Sequence, residues 1–111
     1  MSRHCFDTMH EGSPITVVLA WDRPMHYFFL TIENRSELVE DSMQFDFLYS
    51  NWYESDPFGH GLDYYREVLR RFQIVVPESM FTEVFKDFER NIGNRVVTHQ
   101  ADGSFTERMP V

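Results

Sequence analysis

The sequence predicts an α+β domain: a small antiparallel sheet in the order β-β-β-α-α-β, with room for a final strand, and two helices packed on one face. Three observations carry this. Apolar and β-branched residues alternate from Ile15 to Ile32, the period lengthens to that of an amphipathic helix after Gly61, and a β-branched run returns at Arg95.

Residues 1–13 mix His, Cys, Gly and charged residues without a period, which reads as a flexible leader and places the domain at residues 14–111. Pro14 then introduces Ile15, Val17, Leu19 and Trp21, alternating with Thr16, Val18 and Ala20, the pattern of a strand with both faces at least partly covered. Asp22-Arg23-Pro24 breaks it. Met25 to Ile32 resumes the extended pattern, with His26, Phe28, Leu30 and Ile32 on one face and Tyr27, Phe29 and Thr31 on the other, so the two runs form a hairpin. Glu33 to Ser42 is an acidic connection, and Gln44 to Tyr53 is a third strand through Phe45, Phe47 and Tyr49.

Leu62, Tyr65, Leu69 and Phe72 share one side of a first helix. Pro77 suits the first turn of a second, whose stripe of Phe81, Val84, Phe85, Phe88 and Ile92 faces the core, with Gly93 as its left-handed cap. Arg95 to Gln100 and Ser104 to Met109 flank Ala101-Asp102-Gly103 as a closing hairpin.

The 111 residues suffice for one core, and eleven Phe, five Tyr and two Trp supply the apolar surface to build it. Cys5 is the single cysteine and closes no internal disulfide; the first residues lack the apolar run of a secretory signal. Ile15 to Trp21, the longest apolar stretch, falls far short of the roughly 20 residues that cross a bilayer. These features point to a cytoplasmic protein that does not span a membrane.

Charge separates the function classes. The net charge is -8, and it is uneven: residues 1–56 carry ten acids against three arginines, residues 57–111 eight acids against seven bases. Such a field repels phosphate backbones, which argues against nucleic acid, and attracts basic proteins. Arg66, Arg70 and Arg71 are the one basic cluster, and Asp63 and Glu67 lie at hand to pair with them.

No chemistry-bearing motif emerges. His4, His10, His26, His60 and His99 show no zinc-ligand spacing, Asp41, Asp46, Glu54 and Asp56 lack the pattern of a calcium loop, and no phosphate loop or nucleophile elbow occurs. No catalytic residue, metal or cofactor is therefore assigned. Two places invite binding instead: the Trp21-Asp22-Arg23-Pro24 turn with His26 beside it, and Asn51-Trp52-Tyr53 followed by Phe58.

Trp21-Asp-Arg-Pro followed by Tyr27-Phe-Phe-Leu, and Gly93-Asn-Arg-Val-Val-Thr-His99, resemble segments of uncharacterised small bacterial proteins, some carried on mobile elements such as integron cassettes. The resemblance covers most of residues 14–100, implies a bacterial stand-alone accessory gene, and brings no activity or functional residue with it. The expected function is a non-enzymatic acidic interaction module, immunity-like or inhibitor-like, that engages a basic partner through Glu37, Glu40, Asp41, Trp52 and Tyr53. The alternative is a small-ligand domain or cryptic enzyme, with Trp21, His26, Arg95 and His99 at a pocket between helices and sheet. An open sheet edge and the high aromatic content further predict a homodimer.

Overall fold

The computed structural model describes residues 1–34 and 46–108. They form β1 (Ser2–His10), β2 (Ser13–Asp22), β3 (Tyr27–Asn34), β4 (Asp46–Ser50), α1 (Leu62–Arg71), α2 (Glu78–Arg90), β5 (Arg95–His99) and β6 (Phe105–Arg108). The architecture is α+β, and the strands make one sheet in the order β4-β3-β2-β1-β5-β6.

The main correction concerns the first residues, which are not a leader. They form β1, antiparallel to β2 and parallel to β5, so the sheet is mixed rather than antiparallel. Ser2, His4 and Phe6 point inward and are buried, alternating with more accessible Arg3, Cys5 and Asp7. A period of two is thus present, but two of its three inward residues are polar, and hydrophobicity alone does not register it. Glu11 and Gly12, both at positive φ, close the β1–β2 hairpin in two residues, the backbone that matches strand twist.

The expected β2–β3 hairpin is present, from Ile15 opposite Asn34 to Asp22 opposite Tyr27. His26 belongs to its turn rather than to β3. The third strand ends at Ser50, where a short 3-10 turn, Asn51–Tyr53, replaces its expected last residues. β6 is exposed along its whole length and is an edge of the sheet. Gln44, Phe45 and Met109 lie outside the described residues, as does all but the first two residues of the Glu33 to Ser42 connection.

Both helices pack on one face. Tyr65, Val68 and Leu69 of α1 and Met80, Phe81 and Val84 of α2 join Val17, Leu19, Trp21, Leu30 and Ile32 in a single buried cluster. Trp21 anchors one end, its ring against Phe28 and edge-on to Phe88, each centroid 5.1 Å away. The stripe expected to seat α2 is turned: Phe85 and Phe88 remain 46% and 42% exposed, while Glu83 and Asp87 face inward. Asn91, not Gly93, takes the left-handed position that ends α2, and the Ile92 N–H reaches back to the Asp87 carbonyl.

The opposite face carries Arg3, Cys5, Asp7, Val18, Ala20, Tyr27, Phe29, Thr31 and Glu33 by strand alternation, and no described helix lies on it. No described helix is long and apolar enough to cross a membrane.

Candidate functional site

The face opposite the helices is buried at its centre, where Val18 and Ala20 are 1% and 0% exposed, and ends in an aromatic patch. Ser50 Oγ accepts the Trp52 N–H at 3.2 Å, buried Asn51 donates from Nδ2 to the Pro57 carbonyl at 3.1 Å, and the Tyr53 hydroxyl donates to the Phe47 carbonyl. These bonds fix the 3-10 turn, yet Trp52 and Tyr53 are each 64% exposed. A loop pinned through its backbone and buried amide holds its large rings in water.

The rings continue onto the sheet. Trp52 meets Phe58 edge-on at 5.0 Å, Phe58 lies 4.6 Å from Tyr27, and Tyr27 lies 6.0 Å from Phe29. Beside them a cavity of about 390 Å³ opens among Arg3, Tyr27, Phe29, Glu33, Phe47 and Trp52. Burial, with the Asp22 carboxylate nearby, raises the Tyr27 hydroxyl above its usual range and keeps it a hydrogen-bond donor. Behind the patch, Tyr64 and Tyr49 each donate to Glu54 Oε2 at 2.8 Å; their hydrogen bonds hold that carboxyl below the usual range, so it remains an anion tying the loop to α1 and β4. Cys5, on the same face, is half-buried, and burial pushes its thiol up, away from the reactive thiolate.

Trp52, Tyr53 and Phe58 were legible as an aromatic group; Tyr27 and Phe29 join them because β3 turns that side away from the helices. Glu37, Glu40 and Asp41 lie outside the described residues.

The other four residues named from the sequence do not meet at one place. Trp21 is buried in the core, and His26 is exposed at the turn, its ring edge-on to the indole with 5.4 Å between centroids. Arg95 and His99 belong to a polar cluster between sheet and α2, together with Ser2, His4, Ser79, Glu83 and Asp87, in which hydrogen-bonded partners lie up to 95 residues apart in the chain. Arg95 donates to Asp87 Oδ1 at 2.8 Å, Glu83 Oε1 at 2.9 Å and Glu107 Oε1 at 2.7 Å. The remaining contacts form one chain, its direction assigned from one tautomer set. Ser79 Oγ donates to His99 Nδ1 (2.8 Å), His99 Nε2 to His4 Nδ1 (2.9 Å), and His4 Nε2 to Asp87 Oδ2 (2.6 Å), which Ser2 Oγ also reaches.

Burial favours the neutral form of Asp87, but hydrogen bonds from His4, Ser2 and Arg95 outweigh it and hold the carboxyl below its usual range. Burial, with the neighbouring His4, lowers His99 from 6.5 to about 4. The unfolded chain therefore takes up a proton that folded His99 refuses between those values. Stability is full above the unfolded value and falls as the pH drops toward about 4, by on the order of 3 kcal/mol. Urea midpoints measured from neutral pH down to about pH 4.5 should fall for the native chain and fall less steeply for His99→Gln. Equal slopes would refute this assignment of the proton.

No protein-family profile, curated protein or solved structure matches this chain.

Proposed function

We propose that this protein is a non-enzymatic interaction module, acting as an immunity protein or inhibitor does, that docks a basic protein on the aromatic patch at the end of the sheet face opposite its helices. The observation that carries the reading is the aromatic row in which pinned, exposed Trp52 and exposed Phe58 continue onto half-buried Tyr27 and Phe29, on a face against which no described α-helix packs. Fixed aromatic rings lose little entropy on binding, and Trp and Tyr are enriched among the residues that dominate interface energies. Glu33 in the wall and the net charge of -8 supply the complement for Arg and Lys, whose side chains also stack on aromatic rings. Glu37, Glu40 and Asp41, which follow Glu33 in the sequence, add to the same net charge. A second copy of the chain would bring an equal negative charge to the face, so the reading favours a basic partner over a homodimer.

A photo-crosslinking amino acid at position 52, compared with one at exposed Val75 among the helical elements, tests this in the native host. A discrete adduct with a basic protein is expected from position 52 and not from 75, and its yield should drop as salt rises. Adducts that are missing, shared by both positions, or formed with the chain itself would overturn the proposal.

A further inference from the structure

We propose that the notch between the β2–β3 turn and the α2–β5 loop binds a phosphate group carried on a small organic molecule. The two segments that stood out in the sequence, Trp21-Asp-Arg-Pro and Gly93-Asn-Arg, meet here around a cavity of about 540 Å³. Seven residues line it and none is acidic; the polar side chains are Arg23, His26, Asn91 and Asn94. In a chain of eighteen acids and ten bases, such a wall is a local reversal of charge.

Arg23 carries the argument. Arg66, Arg70 and Arg95 each pair with a carboxylate, whereas Arg23 forms no hydrogen bond or ion pair with a described residue. Its guanidinium instead rests on Gly93, so closely that a Cβ there would lie 2.9 Å from Nη1. The neighbouring Asp22 does not neutralise it: that side chain is buried and accepts the Met25 N–H at 3.1 Å. His26 is placed by the fold, at φ 56 with its N–H on the Asp22 carbonyl at 2.8 Å and its ring against Trp21. Asn91, at φ 50, presents an amide from the facing loop. A planar guanidinium fork flanked by an imidazole and side-chain amides is suited to two oxygens of a phosphate. The notch is open to solvent, and its volume leaves room beyond a bare anion for the body of a small organic molecule.

A competing account is that Arg23 only offsets the negative carboxyl end of α2. Amide NMR titrations of the full chain with inorganic phosphate, ribose 5-phosphate and sodium chloride at matched ionic strength separate the two. Saturable shifts confined to residues 22–27 and 91–95 are expected, with ribose 5-phosphate the tighter ligand, and Arg23→Gln should weaken it by about tenfold or more. If that variant does not fold, Arg23→Lys, which keeps the charge without the fork, should show a smaller loss of affinity. Shifts that are absent, reproduced by chloride, or unaltered in the Arg23 variants would overturn the site. Equal affinity for ribose 5-phosphate and inorganic phosphate would overturn the organic carrier.

Discussion

A chain lacking residues 2–10 is expected not to fold. β1 lies between β2 and β5, and its removal takes Phe6 from the core and Ser2 and His4 from the polar cluster. It also separates the β5–β6 hairpin from the rest of the sheet, since β5 has no other strand neighbour than β1 and β6. Domains of this size are stable by about 5–15 kcal/mol in total, and the loss of an interior strand exceeds that margin. Far-UV and near-UV circular dichroism with urea titration decides the matter: the truncated chain should show no cooperative transition. A midpoint near that of the intact chain would restore the reading of these residues as a leader.

Asp87→Ala is expected to destabilise the protein by about 3–5 kcal/mol, the range for breaking a buried charged pair by removing one member. The carboxylate is 1% exposed and accepts from Ser2, His4 and Arg95. Without it, Arg95 retains Glu83 and Glu107, but the inward side of its guanidinium faces a void, and the His4 ring loses its acceptor. Asp87→Asn should recover little, because its amide group brings donors to a place already supplied with them. Urea denaturation near neutral pH measures both, and a loss below about 1 kcal/mol for Asp87→Ala would show the cluster to be replaceable by water.

How much of this was legible follows from where each residue's partners lie. β2, β3, α1 and α2 announce themselves through local periods, because an apolar face recurs wherever a strand or helix meets a core. β1 escapes that logic, since Ser2 and His4 are inward for the sake of Asp87, which no local pattern relates to them. The same partner explains the turn of α2: Phe85 completes an apolar stripe in the sequence, but Asp87 needs the inward position and leaves Phe85 partly in water. The aromatic patch was half legible. Trp52, Tyr53 and Phe58 cluster in the chain, whereas Tyr27 and Phe29 enter only once both helices are placed on the other face. Arg95 and His99 stood out as candidate ligand contacts because polar residues in a β-branched run are conspicuous; what they contact depends on α2.

The parallel pairing of β1 with β5 has a consequence for the order in which the molecule assembles. Ser2 lies opposite Arg95, a partner that emerges from the ribosome long after β1, once β2, β3, β4 and both helices have been made. The β1–β2–β3 meander has short turns and can close early, but one side of β1 then waits as an unpaired edge until β5 is made. The stretch that β5 later covers runs from Ser2 to Cys5, and until then its backbone groups are open to another nascent chain. The interval between the synthesis of β3 and of β5 is when this chain is most exposed to aggregation, and a slower ribosome in that stretch lengthens it.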